Sequence, residues 1–204
     1  YTLWAHQIKT PIAAMRLLLQ TNENCNEPMQ SELFKVEQYV EMALYYMRLE
    51  SPDPDYVLQQ YELVPIVQRA LRKYSRLFIQ KGLPLQFHET GRAVYTDEKW
   101  LGFVIEQLIS NAIKYTSKGS ISITWSEEQL VIEDTGIGIP DSDLPRIFEK
   151  GYTGFNGRIE HRSTGLGLYL CRRILTKLSH GIEISSKPGI GTKVTISFPK
   201  DEWA

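Results

Sequence analysis

The order of apolar and polar positions divides the chain into two unlike parts. From Tyr1 to about Thr21, Trp4, Ile8, Ile12, Met15 and Leu19 fall on one stripe at 100° per residue, while His6 and Thr10 point almost directly away from it. Pro11 stands inside this helical pattern, where proline costs about 3 kcal/mol and favours a kink, so a bend is expected close to His6. The polar run Asn22-Glu23-Asn24-Cys25-Asn26-Glu27-Pro28 predicts a loop. In a second helix Leu33, Val36, Val40, Ala43 and Met47 recur at 3/4 spacing, and Phe34, Tyr39 and Leu44 widen its apolar face. A lone hairpin leaves both faces uncovered, whereas two hairpins about a two-fold axis make a four-helix bundle. A homodimer is therefore expected; packing of both stripes on the C-terminal half is the alternative.

Ser51-Pro52-Asp53-Pro54-Asp55 breaks the helix and reads as a linker, giving a hairpin over 1–50, a linker over 51–56 and a second domain over 57–204. Beyond it the pattern alternates. Tyr56–Glu62 predicts a short strand, Leu63–Lys81 a helix and Leu83–His88 a strand. Asp97–Tyr115 predicts a long helix with Trp100, Val104, Leu108, Ala112 and Tyr115 on its buried side. Ser120–Trp125 and Gln129–Glu133 read as a hairpin, Thr164–Leu178 as a helix, and Gly181–Ser186 and Gly191–Phe198 as two strands around a glycine-proline turn. The expected domain is α/β, with helices on one face of a mixed sheet.

Composition narrows the function classes. With 204 residues and 42% hydrophobic content there is material for packed cores, and a net charge of −1 gives no electrostatic case for a nucleic-acid partner. Cys25 and Cys171 lie in unrelated segments and read as reduced thiols in a cytosolic setting. His88, His161 and His180 have no acidic or cysteine neighbours at ligand spacing and read as surface or loop residues. No apolar run reaches the roughly 18 residues of a membrane span. The chain starts without Met inside a helical pattern, so a piece of a longer protein is expected.

Several segments carry chemistry. Gln107, Asn111, Lys114 and Tyr115 share one face of the long helix: an amide oxygen can ligate a hard divalent cation, the lysine can neutralise phosphate, and the tyrosine offers an aromatic surface. A solvated polar face is the alternative. Asp134 in Glu133-Asp134-Thr135-Gly136-Ile137-Gly138-Ile139-Pro140 follows an apolar strand, where its carboxylate can accept a hydrogen bond from an exocyclic amine. Gly136 and Gly138 let backbone approach a flat base or a phosphate. Ser163-Thr164-Gly165-Leu166-Gly167-Leu168 opens a helix, whose free N–H groups favour phosphate. Gly189-Ile190-Gly191-Thr192 makes the final turn and is equally well read as structural punctuation. The stretch from Gly151 to about Arg162 reads as a mobile functional element, such as a lid over a nucleotide, or as a disordered segment, with Lys150 and Arg158 near the phosphates or, for Arg158, in solvent.

Together, His6-Gln7-Ile8-Lys9-Thr10-Pro11, Glu106-Gln107-Leu108-Ile109-Ser110-Asn111-Ala112-Ile113-Lys114-Tyr115, Asp134-Thr135-Gly136-Ile137-Gly138-Ile139-Pro140, Phe148 and Thr164-Gly165-Leu166-Gly167-Leu168 resemble the phosphoacceptor, N, G1, F and G2 boxes of bacterial two-component sensor histidine kinases. The likeness runs over nearly the whole chain. Within the family, Trp-Ala-His-Gln-Ile-Lys-Thr-Pro and the Ile-Glu-Gln form of the N box are similar to kinases of Gram-positive bacteria that sense envelope stress or antimicrobial peptides, often beside an ABC transporter.

The resemblance implies a dimeric four-helix bundle followed by an ATP-binding α/β sandwich of the GHKL (Bergerat) type. It also implies a protein-histidine kinase, using ATP and Mg²⁺, that phosphorylates His6 at Nε2 and passes the phosphoryl group to an aspartate of a response regulator. Asn111 would ligate Mg²⁺, Lys114 would contact phosphate, and Tyr115 would lie against adenine. Asp134 would bind the adenine amine in a pocket shaped by Gly136 and Gly138, while Gly165 and Gly167, after Thr164, would let lid and helix approach the phosphates. The whole protein would be a cell-membrane protein with a sensor segment or ABC transporter as partner, this chain being its cytoplasmic part. Thr10 resembles the position that orients water for dephosphorylating the regulator; a helix-surface threonine is the alternative.

The chain departs from the family pattern at Gln7, where an acidic residue is common, and at Gln107, where many relatives have asparagine. An amide oxygen can orient the imidazole but is a poor proton acceptor, so autophosphorylation is expected to be slower or to release its proton to water. Two other classes remain open: a GHKL-type ATPase using Glu106, and a non-catalytic dimeric scaffold that binds ATP.

Overall fold

The computed structural model describes residues 2–20, 26–51, 56–88, 92–154 and 164–199, and leaves aside the side chains of 2–7 and 26. The chain forms two compact units, Tyr1–Asp55 and Tyr56–Ala204.

In the first unit α1 (Thr2–Gln20), with Pro11 inside it, packs on α2 (Asn26–Glu50). The second helix starts within the segment expected to be a loop: Asn26, Glu27 and Pro28 are already helical. Proline fits there because first-turn N–H groups have no intrahelical partner, and Glu27 suits the positive end of the dipole. Met42 and Leu49 are buried, yet much of the apolar pattern is not: Leu17 and Leu19 are each 65% exposed, Met47 50% and Leu33 48%.

The second unit begins with β1 (Gln59–Glu62) and α3 (Leu63–Lys81). Leu63, Ile66, Val67, Ala70, Tyr74 and Phe78 recur at helical spacing and are all buried. Gly82 takes a left-handed conformation (φ 62°) and donates to the Ile79 carbonyl, while the Leu83 N–H reaches Phe78, which ends the helix. After β2 (Leu85–Phe87) comes β3 (Ala93–Thr96), a strand absent from the pattern-based reading. It pairs antiparallel with β1.

Helix α4 (Glu98–Tyr115) is capped by Asp97, whose Oδ1 accepts from the N–H groups of Lys99 (2.8 Å) and Trp100 (3.0 Å). Such a cap contributes about 1 kcal/mol. Trp100, Val104, Leu108 and Ala112 are buried as expected, and Tyr115 is half-buried.

The main sheet contains β2, β4 (Ile121–Ser126), β5 (Gln129–Asp134), β6 (Gly181–Lys187) and β7 (Gly191–Ser197), in the order β2-β4-β5-β7-β6. Only β2–β4 is parallel, so the sheet is mixed. Ile121, Ile123, Leu130, Ile132, Val194 and Ile196 alternate inward along three strands, and α4 and α5 (Gly167–Lys177) pack on β5 and β6. Helix α5 starts three residues later than the sequence pattern predicts, because Gly165 holds φ 66° and Thr164–Leu166 form a turn.

His180 corrects another expectation. It is 6% exposed rather than a surface residue; its Nε2 lies 3.0 Å from Thr96 Oγ1 and its ring stacks 4.7 Å from Phe198. Burial pulls its pKa down to about 4. Cys171 is a free, buried thiol pushed well above its usual pKa by burial, whereas Cys25 and His161 lie outside the described residues.

Candidate functional site

The site is assembled where the last turn of α4, the loop after β5 and the turn before α5 meet. Asp134 ends β5 and is 8% exposed; its Oδ1 accepts from the Gly136 N–H at 2.9 Å. Burial raises its pKa, and Glu133 adds to the rise. The backbone N–H groups of Gly136 and Thr192 and the nearby Thr116 hydroxyl favour the charged form. Thr116 is fully buried, and its hydroxyl makes no hydrogen bond of ordinary geometry among the described residues. A buried carboxylate beside a hydroxyl with unused hydrogen-bonding capacity suits a ligand with an exocyclic amine and a ring nitrogen.

The glycines permit close approach. A Cβ on Gly136 would stand 2.4 Å from the Tyr115 carbonyl oxygen, 2.8 Å from Asp134 Oδ1 and 2.9 Å from Thr116 Oγ1. The Ile137 N–H donates to the Tyr115 carbonyl at 3.2 Å, binding the loop to the end of α4. Gly138 has φ 69°, and a Cβ there would meet the Lys187 carbonyl oxygen at 2.1 Å. Behind the loop, Ser186 Oγ accepts from the Ile139 N–H at 2.8 Å, and the Gly189 N–H donates to the Ile137 carbonyl at 2.8 Å. The β6–β7 turn thus braces the Asp134 loop, a contact that neither of its two readings specified. Its glycine-x-glycine spacing was the available signal.

Asn111 and Lys114 are half-buried on the last turns of α4, with the Lys114 ammonium 5.0 Å from the centre of the Tyr115 ring. Gln107 is buried, and its Oε1 lies 3.2 Å from where a Cβ on Gly167 would stand, which brings α4 against the start of α5. Thr164 is buried and accepts from the Leu166 N–H at 3.2 Å. The Gly151 N–H donates to the Gly165 carbonyl at 2.9 Å, and a Cβ on Gly165 would stand 2.4 Å from the Gly151 carbonyl carbon. Lys150, next to this contact, is exposed. Arg172 lies over the Phe148 ring at 5.1 Å, beside an open cavity of about 280 Å³ also lined by Tyr169, Arg173, Thr176 and Lys177.

Gln107, Asn111, Lys114, Tyr115, Asp134, Gly136, Gly138, Thr164, Gly165 and Gly167 therefore belong to one connected set of elements. The set includes Thr116 and Ser186, which sequence reasoning missed, and Thr192, which it named only within the final turn. Arg158 and the rest of the expected lid from 155 to 163 lie outside the described residues. In the first unit Thr10 is exposed on α1, while the side chains of His6 and Gln7, on the same helix, lie outside the described residues. Among the described residues no group of three or more His, Cys, Asp or Glu is placed to hold a metal ion, and no helix is long and apolar enough to cross a membrane.

A buried carboxylate at a strand end, a glycine-lined loop and an amide-and-lysine helix face define a nucleotide-binding α/β domain. Residues 96–202 match the family described as "Histidine kinase-, DNA gyrase B-, and HSP90-like ATPase", and the chain belongs to that family. It is 38% identical over 203 residues to sensor histidine kinase YxdK of Bacillus subtilis (strain 168), covering 96% of this chain and 62% of that protein. It is 32% identical over 202 residues to sensor protein BceS of the same organism, covering 96% of this chain and 60% of that protein. The chain thus spans about three-fifths of the length of these relatives. The fold is similar to that of the Acinetobacter baumannii histidine kinase AdeS, with a TM-score of 0.65, 23% identity, and coverage of 96% of this chain and 98% of that one.

Proposed function

We propose that this chain is the cytoplasmic catalytic core of a sensor histidine kinase, with ATP bound by the second unit and His6 of the first as phosphoacceptor. The observation that carries the reading is the buried Asp134 carboxyl, with the Thr116 hydroxyl beside it, bound through the Ile137–Tyr115 hydrogen bond to the helix end bearing Asn111 and Lys114. Asp134 accepts the adenine amine, and Gly136 and Gly138 keep side chains out of the plane of the base. Tyr115 lies against the base. Lys114 and Lys150 neutralise phosphate charge, while Gln107, Thr164, Gly165 and Gly167 shape the approach to the phosphates. Asn111 offers a hard amide oxygen to Mg²⁺, which when bound neutralises phosphate charge.

His6 Nε2 forms the new N–P bond as the bond to the ADP oxygen breaks; the phosphoryl group then passes to a regulator aspartate. Gln7 orients the ring by accepting from Nδ1–H but cannot take its proton, which leaves to water. Thr10, exposed one turn on, positions water for dephosphorylating the regulator. The apolar residues exposed on the hairpin support a homodimer. The likeness to the sensors YxdK and BceS supports a sensor segment in the whole protein; its membrane setting and an ABC transporter as partner are carried over from the family resemblance of the motifs alone.

The ATPase alternative loses its base: Glu106 is ion-paired with Lys73 of α3, five positions and about 140° around the helix from Asn111. The test is an alkaline-quench assay with γ-labelled ATP on wild type and His6→Gln. Acid-labile, alkali-stable label on wild type alone is expected; free phosphate with no labelled protein overturns the reading in favour of an ATPase, and binding without turnover favours the scaffold.

A further inference from the structure

The last turn of α4 carries the lysine and tyrosine of the site, and a helix end leaves its final carbonyls without intrahelical donors. Here each of them has a donor. The Ala112 carbonyl accepts from the Thr116 N–H at 3.1 Å and the Tyr115 carbonyl from the Ile137 N–H at 3.2 Å. The other three converge on one side chain: Lys81 Nζ donates to the carbonyls of Ile113 (2.5 Å), Thr116 (3.2 Å) and Lys114 (3.4 Å). An ammonium has three donors and no acceptor, which suits a cluster of carbonyls, and its charge sits at the negative end of the helix dipole.

Lys81 is itself placed by a register between two helices. Arg69 pairs with Glu98 at 2.7 Å, Lys73 pairs with Glu106, and Lys81 meets residues 113–116. These contacts advance in the same direction along both helices, so α3 and α4 run parallel. The left-handed Gly82 then turns the chain away, leaving Lys81 as the last residue of α3.

We infer that Lys81 is a positioning residue for the nucleotide site: by gathering the carbonyls of Ile113, Lys114 and Thr116 it fixes the helix end that presents Lys114 and Tyr115 and the Thr116 hydroxyl beside Asp134. It acts on the site through these backbone carbonyls. The inference rests on the nucleotide reading of this site.

The test is equilibrium titration of the full chain with a fluorescent ATP analogue, with thermal unfolding measured in parallel. Lys81→Met keeps the stem and removes the donors; its Kd is expected to rise about five- to tenfold. Lys81→Arg retains the charge and at least two donors, and is expected to stay within about twofold of wild type. Lys73→Met breaks the neighbouring ion pair without touching the last turn. It is expected to lower the melting temperature while leaving Kd within about twofold. If Lys81→Met does not fold, Lys81→Gln takes its place, with an expected rise of about threefold.

Unchanged affinity in Lys81→Met, or in Lys81→Gln where that replaces it, overturns the positioning role. Equal weakening by Lys73→Met also overturns it, since affinity then merely follows stability. Failure of the wild-type chain to bind the analogue saturably instead overturns the nucleotide reading, and the positioning role with it.

Discussion

The two units handle apolar residues in opposite ways. In the second, α3, α4 and the sheet bury a continuous core in which Leu101, Val104, Ile105, Ile109, Ile121 and Ile123 have no exposure. In the hairpin, Leu17 and Leu19 remain 65% exposed and Met47 50%. Both units are amphipathic in sequence, so the difference lies in the number of layers available. A sheet covered by helices closes its own core, whereas two helices cover only one seam of each other. The second unit can therefore hold a preorganised site by itself, while the hairpin leaves apolar surface that, on the proposed reading, a second copy covers.

The strongest challenge to this contrast is to charge the uncovered face. Val40→Glu with Leu44→Glu, at residues 42% and 44% exposed, is expected to convert a dimer to a monomer by light scattering and to leave nucleotide affinity within about twofold of wild type. A variant that stays dimeric places the interface elsewhere.

Next in size is Asp134→Asn, which turns an acceptor at the base into a donor and is expected to weaken ATP binding about 100-fold with the fold intact by circular dichroism. In wild type, binding should weaken as pH falls and Asp134 takes up its proton, above the ordinary carboxylate range because burial raises its pKa. A titration showing no such dependence would remove Asp134 from the base pocket.

A smaller effect comes from His180. Its folded pKa of about 4 lies below the ordinary histidine value of 6.5, so the unfolded chain binds more protons between these limits. Stability is independent of this group above about pH 6.5 and declines as pH falls toward 4, by roughly 1–3 kcal/mol in all. Denaturant melts at stepped pH should show this slope, and His180→Gln should flatten it.

The smallest concerns the β4–β5 turn, where Glu127 and Glu128 hold φ of 50° and 62°. Asn-Gly suits such a turn, and the double replacement should raise stability by about 0.5–1 kcal/mol in urea melts without changing nucleotide affinity.

The comparison also accounts for what the sequence made legible. Helix α3 matched its predicted limits because six buried residues keep helical spacing and Gly82 stops it. The four-residue β3 was missed, its pairing with β1 being made across the fold. The glycine motifs pointed to the Asp134 loop, but not to Thr116, which comes beside Asp134 only when α4 and β5 pack. His180 read as a surface or loop residue for want of acidic or cysteine neighbours at ligand spacing, which says nothing of burial; the positive φ of Ser179 (61°) belongs to the turn that leads the chain into the buried imidazole.

The central claim is that one unit binds the nucleotide and the other receives the phosphoryl group. The direct measurement is to react the chain with γ-labelled ATP, quench in alkali, cleave between residues 51 and 56, and count label on each unit. The account predicts acid-labile label confined to the fragment containing His6 and absent from it in His6→Gln. Label on the second unit, or label surviving in His6→Gln, would contradict it.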